Sequence, residues 1–445
     1  MKQKQLLEKL RESSAEVRNL FEKLYGGEGA DEGRRRYITL TQNFPFDSGA
    51  GEDADLRLFT AAGRTELGGN HTDHNRGKVL AASIQLDQAA VAAKRGDGRV
   101  FFRSTAYPDV VVDLTKLRPD KKEYGSTEAL VRGIAAELSA RGVPVGGVSI
   151  NADSTIFAGS GLSSSAAVEV LLGRIFDTFY GGGSRSALEI AQIGQKAENV
   201  FFGKPCGLMD QTACASGGAV AIDFADPVRP LVRRINVDLD AVGYALCVVN
   251  TRGSHADLTP DYAAIPAEMK SVAAFFGREV LRECNEETVE AKAAEIRREC
   301  GDRALLRALH FFDENQRVDA MTAALEKLDA AQGPASKRDA VGEYLRLVNE
   351  SGHSSWELLQ NVYSSHNARE QGASLALVLT RDFLRAEAAA PGACRIHGGG
   401  FAGTIAAYIP RTALQNYRKI MDAVFGAGSV VPLRIRSIGA EELHP

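Results

Sequence analysis

The run AAVEVLLGRIFDTFY, which starts at Ala166, is apolar on nearly every side, and a helix of that composition has to be buried. Just ahead of it stand a short strand signal, Val148 to Asn151, and the loop AGSGLSSS. The loop carries Gly159, Gly161 and the consecutive serines Ser163, Ser164 and Ser165. A strand, a glycine loop and a buried helix in this order are built to hold an anion. The glycines let backbone amides turn toward a ligand, the hydroxyls add donors, and the helix contributes its positive N-terminal end. The natural ligand is a phosphate chain. The segment is neither the Walker A pattern nor GxGxxG. A plain helix N-cap after a glycine turn accounts for one serine and one glycine, not for the whole group.

Enclosing such a helix takes a sizeable chain, and 445 residues predict two or three domains. Lysine plus arginine number 53 against 57 acidic residues, so the formal charge of −4 carries no nucleic-acid or membrane footprint. Nothing approaches the roughly 18 consecutive apolar residues of a membrane helix, and the charged amphipathic start lacks a signal-peptide core. A cytoplasmic protein is expected. The six cysteines, Cys206, Cys214, Cys247, Cys284, Cys300 and Cys394, lie far apart without CxxC pairs and read as reduced thiols. Glycine is in excess, 44 residues or about 10% against the roughly 7% of average proteins, which calls for many tight backbone turns.

Along the chain, Leu6, Leu10, Val17, Phe21 and Leu24 predict an opening helix over 2–24. From Gly26 to about Ala62 turn residues mix with short strand-like pieces, which predicts a surface excursion of loops around a strand. Strands are expected at 79–86, around Val91, at 100–102 and 110–114, and helices at 127–138 and 187–202. GGAVAIDF and YALCVVNT read as further strands, the second opening a new domain. Residues 267–332 are charge-rich and helical, and strands return around CRIHGGGFAGTIAAYIP and VVPLRIRSI. The plan is α+β in two lobes, 1–240 and 241–445.

Three further segments could carry chemistry. In QKAENVFFGKPCGLMDQ (195–211), Glu198 shares the small-residue face of a helix, and a buried carboxylate needs a cation, for which magnesium is the usual hard partner beside phosphates. Asp210 follows a turn set by Pro205 and Gly207 that suits presentation into a cleft. Each acid taken alone also fits an ordinary paired or solvated carboxylate. GRTELGGNHTDHNRGKVL (63–80) sets four glycines around Arg64, Asn70, His71, Asp73 and His74. Transition-metal ligation, a solvated turn and binding of a hydroxyl-rich ligand all remain open there. HGGGFAG (397–403) is a weak glycine loop by itself.

Together these four segments resemble the galactokinase family, within the GHMP superfamily of small-molecule kinases. VNTRGSHADLTPDY, RALHFFDENQRV and LVNESGHSS add weaker similarity, so the likeness runs from about residue 63 to 407. The resemblance implies a two-lobed GHMP kinase fold with the active site in the cleft between an N-terminal and a C-terminal α+β domain. It implies transfer of the ATP γ-phosphate to the anomeric hydroxyl of D-galactose, the first step of galactose use by the Leloir pathway. Asp210 would face that hydroxyl with Arg64 beside it, and Ser165 and Glu198 would hold Mg2+. Gly159, Ser160, Gly161, Leu162, Ser163, Ser164 and Ser165 would bind ATP, and Asn70, His71, Asp73, Gly207 and Tyr262 the sugar. Partners are then a small sugar and ATP, with neither nucleic acid nor membrane, for a monomer or weak homo-oligomer.

The chain departs from the family pattern in places. Asn70 stands where a glutamate is usual, His74 where a tyrosine is, and Phe157 where a proline is common. The 26–62 stretch is longer than the usual N-terminus, and no adenine-facing aromatics are evident around Thr127 to Leu130. A neutral amide at position 70 remains compatible with galactose and could also tolerate a carboxylate at carbon six, as in galacturonate. A non-catalytic sensor of ATP and galactose is a different class of function for the same fold.

Overall fold

The computed structural model describes every residue except 52, 106, 158–160, 254–257, 367, 388–389 and 402. Its strands are β1 (Arg57–Gly68), β2 (Lys78–Lys94), β3 (Arg99–Ser104), β4 (Tyr107–Asp113), β5 (Val148–Ser154), β6 (Ala219–Asp223), β7 (Leu231–Ile235), β8 (Tyr244–Asn250), β9 (Ala393–Ile396), β10 (Thr404–Pro410), β11 (Val430–Leu433) and β12 (Glu441–Leu443). The helices are α1 (Gln3–Glu12), α2 (Ala15–Gln42), α3 (Thr127–Ala140), α4 (Ser164–Tyr180), α5 (Ala187–Lys196), α6 (Met209–Ser216), α7 (Thr259–Phe275), α8 (Glu286–Ala291), α9 (Ala293–Glu299), α10 (Asp302–Ala330), α11 (Pro334–Ser354), α12 (Gly372–Ala386) and α13 (Leu414–Phe425).

The first sheet runs β12-β1-β2-β5-β3-β4, with β6 beside β2 and β7 beside β6. The long β2 pairs β6 through residues 78–82 and β5 through residues 88–94, so one strand serves two partners on the same flank. The apolar helix foreseen from Ala166 is α4, packed with α3, α5 and α6 on one face of this sheet. The second sheet, β11-β8-β10-β9, alternates strictly along β8: Ala245, Cys247 and Val249 face α12 and α13, while Leu246 and Val248 join the core under α10 and α11. The tail returns from this second lobe to the first, where Ile435 bridges Ile84 and β12 pairs β1.

Two expectations are corrected. The opening helix is broken at Ser13, which adopts a left-handed φ of 50°, and α2 restarts from Ser14, whose Oγ accepts from the Val17 amide at 3.3 Å. The first part of the 26–62 stretch is helix and not loop, because α2 continues to Gln42 with one bend at Gly26, φ 74°, while the expected loop and strand follow in the rest, with β1 beginning at Arg57. Each glycine costs a helix about 1 kcal/mol against alanine, which is why the run reads as loop. Burial wins because Leu24, Tyr37 and Leu40 cover Leu58, Ala89 and Val91 on the second face of the first sheet. Arg36 then reaches the fully buried Asp87 at 2.9 Å, beside Arg436 at 3.0 Å. The absent Cβ of Gly33 makes room for the Tyr25 ring. The six cysteines are unpaired, as expected. Among the described residues no helix is long and apolar enough to cross a membrane.

Candidate active site

Two bulges in the β1–β2 ladder, at Ala62/Gly63 and Glu66/Gly68, bracket the short segment that carries Arg64. Bulges re-aim side chains, and here Arg64 turns toward the start of α4 and α6. Its Nε donates to Asp210 Oδ1 at 2.7 Å and its Nη2 to Oδ2 at 2.8 Å, a two-bonded fork. Its Nη1 donates to the Gly161 carbonyl, and its backbone amide to Leu162 O at 3.1 Å, so the fork is tied to the glycine–serine loop. Burial by itself pushes the Asp210 carboxyl up, yet the Arg64 charge and the hydrogen bonds from Arg64 and Ser163 hold it below the usual range. Asp210 is therefore an ionised carboxylate at the cleft wall.

The loop is divided in its duties. Ser163, at a left-handed φ of 61°, donates its hydroxyl to Asp210 and not to an open anion site. Leu162 is buried, Gly161 takes φ 68°, and Ser164 and Ser165 open α4. Gly159 and Ser160 lie outside the described residues. Glu198 sits on a π-helical turn, Ala197–Phe202, that re-aims the end of α5. Ser165 Oγ stands 3.4 Å from Glu198 Oε1, Lys204 Nζ 3.1 Å from the same oxygen, and Gln211 Nε2 3.0 Å from Oε2. Gln211 also donates to Glu169 at 2.9 Å. Glu169 Oε1 is buried without a partner among the described residues, and burial followed by repulsion from Glu198 pushes this carboxyl well up. Lys204, Gln211 and Glu169 lie within the segments the sequence singles out, which give them no role of their own.

On the other side a cleft of about 250 Å³ is lined by Arg64, Asn70, His71, Asp73, His74, Lys204, Gly207 and Asp210, closed by Gly398 and Gly399 from the second lobe. The His71 Nε2–H donates to Gly399 O at 2.9 Å, and burial brings this imidazole down to about 4, so it is neutral. Asp73 presents its carboxylate against Gly207. No cluster of three or more His, Cys, Asp or Glu that could hold a metal occurs among the described residues, and His71 Nε2 is spent on Gly399 O. Tyr262 stands behind the glycine loop, its hydroxyl donating to Gly400 O at 3.0 Å and its ring edge-on to Phe401.

Asn70 is fully buried. Its Nδ2 donates to Gly398 O at 2.7 Å and Glu66 at 3.1 Å, while its Oδ1 accepts from Asn361 at 2.7 Å. Below it lies a layer of buried charge that sequence reading passed over. Arg395 meets Glu66 at 2.6 Å, the His310 Nε2–H donates to Asn70 O at 2.9 Å, and Glu314 accepts from the Gly69 amide at 3.0 Å and Ser351 Oγ at 2.6 Å. One signal was available: His310, Glu314 and Arg317 fall at helical spacing beside apolar Phe311 and Val318.

A family model for the GHMP kinases N terminal domain matches residues 129–218, and one for the galactokinase galactose-binding signature matches 46–94. The galactokinase of Streptomyces coelicolor is 34% identical over 295 residues, 63% of this chain and 74% of that protein. The chain belongs to the galactokinase family. A second galactokinase, from Streptomyces lividans, is 31% identical over 382 residues, 84% of this chain and 87% of its own. Among solved structures, Lactococcus lactis galactokinase complexed with galactose matches with a TM-score of 0.75 and 24% identity, covering 92% of this chain and all of that one. A mevalonate kinase matches with a TM-score of 0.57 and 13% identity over 85% of this chain and 98% of its own, a likeness in fold. For this galactokinase-family chain the matched segments are those that build the cleft: β1 and β2 with the Arg64 signature, then α3 through α6 with the loop, Glu198 and Asp210. The family is one of ATP-dependent sugar kinases.

Proposed function

We propose that the cleft transfers the γ-phosphoryl group of ATP to the anomeric hydroxyl of D-galactose, giving galactose 1-phosphate and ADP. The Arg64–Asp210 fork carries this reading, because it sets an ionised carboxylate beside the N-terminal end of α4. As the anomeric oxygen bonds to the γ-phosphorus, the bond from that phosphorus to the β–γ bridging oxygen breaks. The hydroxyl proton passes to Asp210. Arg64 keeps Asp210 ionised until then. The Gly161–Ser165 end of the loop, with Gly159 and Ser160 ahead of it, would receive the phosphates on backbone amides and the α4 terminus.

Magnesium fits the donor set. Ser165 Oγ and Glu198 Oε1 are hard oxygen donors 3.4 Å apart, and a single carboxylate with a hydroxyl suits an ion that takes its remaining ligands from phosphate and water. Such an ion offsets charge on the transferring phosphoryl group. For the sugar, His71, Asp73 and the Gly207 backbone face the cleft. Asn70 shapes its floor through a side chain already bonded to Glu66, Gly398 and Asn361, and Tyr262 acts by bracing the glycine loop.

Galacturonate is the alternative acceptor raised by the neutral amide at position 70, but that amide is buried and bonded to Glu66, whose carboxylate also lines the cleft, so galactose is the better fit. ADP release measured with galactose, galacturonate and a panel of other hexoses decides. Turnover with galacturonate and none with galactose would overturn the galactose reading. Binding of ATP and galactose without ADP release would turn it into a sensor. With this reading go two lobes, 1–240 and 241–445 with the tail exchanged, and a monomer or weak homo-oligomer in the cytoplasm, where the six free thiols are at home.

A further inference from the structure

We infer that Lys204 is the mobile cation of the reaction, holding Glu198 before the nucleotide arrives and turning to the non-bridging oxygens of the γ-phosphoryl group once a divalent ion takes its place. This rests on the proposed reaction.

The cleft is rich in carboxylates, and two permanent cations line it among the described residues, Arg64 and Lys204. Arg64 is committed: it is buried, its Nε and Nη2 go to Asp210, and its Nη1 goes to Gly161 O. Lys204 differs in kind. Among the described residues its ammonium has one ion partner, Glu198 Oε1 at 3.1 Å, and 61% of its side chain is exposed. The base of the side chain is fixed, while the tip is held only by Glu198 and is open to solvent. Gly203 (φ 82°) ends the π-helical turn, the Lys204 amide donates to Glu198 O at 3.2 Å, and the Cys206 amide donates to Asn199 Oδ1 at 2.7 Å.

Ser165 and Lys204 compete for one oxygen, Glu198 Oε1. Lys204 would yield that oxygen to a divalent ion, which Ser165 and Glu198 would hold, because like charges repel. The four-carbon stem lets the charge move to the anion the ion brings with it. Lys204 gains and loses no covalent bond. Its N–H groups donate to the γ-phosphoryl oxygens while the bond to the anomeric oxygen forms and the bond to the bridging oxygen breaks, which is where preorganised positive charge lowers a barrier.

Lys204→Met in the full chain tests this with two readouts. Turnover with ATP, Mg2+ and galactose is expected to fall roughly 10²-fold, the scale of losing one transition-state donor, with galactose KM within about two-fold and partial recovery in Lys204→Arg. Mn2+ binding to the nucleotide-free protein, followed by electron paramagnetic resonance, is expected to tighten several-fold because the competing ammonium is gone. A merely structural lysine would weaken or leave unchanged the Mn2+ binding. Turnover within two-fold of the parent, or Mn2+ binding that is unchanged or weaker, overturns the assignment. If the parent protein itself releases no ADP with galactose, the functional reading fails, and the Mn2+ comparison, which needs no turnover, still decides whether Lys204 competes for Glu198.

Discussion

Gly207 lies so close to Asp73 that a Cβ added at Gly207 would overlap the Asp73 carboxylate oxygen. The two residues lie in separate segments, after β1 and before α6, and meet at the cleft wall. Gly207→Ala is expected to push Asp73 off its position and cost about 10- to 100-fold in kcat/KM for galactose, with little change in melting temperature. Steady-state kinetics check it, and parental kcat/KM would show that Asp73 has no part in placing the sugar.

Asp210→Asn keeps the shape of the side chain and removes its ability to accept a proton. Turnover is expected to drop by about two to four orders of magnitude while calorimetry finds galactose and ATP binding within a few-fold. Full turnover in this variant would remove Asp210 from the role of base.

Arg64 sets the acid side of the pH profile. Burial raises the Asp210 carboxyl, and the Arg64 charge and hydrogen bonds more than reverse this, so the folded value lies below the unfolded one. Asp210 is then ionised across the neutral range, and its share of stability is present above the unfolded value and lost as the pH falls through the folded one. In Arg64→Met the largest lowering cause is gone and burial is opposed only by the Ser163 hydrogen bond and the Lys204 charge, so the acid limb of kcat/KM is expected to move to higher pH. An acid limb at the parental position would show that Arg64 does not control the charge of Asp210.

Arg395 and Glu66 form a fully buried pair at 2.6 Å beneath Asn70. Removing one partner strands the other charge, so Arg395→Met is expected to lose about 3–5 kcal/mol in urea unfolding. A loss under about 1 kcal/mol, the scale of an exposed pair, would mean the pair is not sealed from water.

What the sequence determined by itself was local. The glycine–serine loop ahead of an all-apolar helix, the polar signature at 63–80 and the acids Glu198 and Asp210 are legible because each is a pattern within one contiguous segment, set by helical period or by glycine's freedom of φ. Even local reading failed where opposing signals met, as at α2, whose glycines argue for loop while Leu24, Tyr37 and Leu40 find a sheet face to cover. The tertiary structure alone decided which charges meet. Arg64 and Asp210 are 146 residues apart, and Arg395 and Glu66 are 329 apart. Nothing in the order of residues says that Asn70 spends its amide on Glu66, Gly398 and Asn361, or that Lys204 guards Glu198. A buried charge is stable only beside its partner, and that partner is chosen by which distant segments the fold brings together as it excludes water.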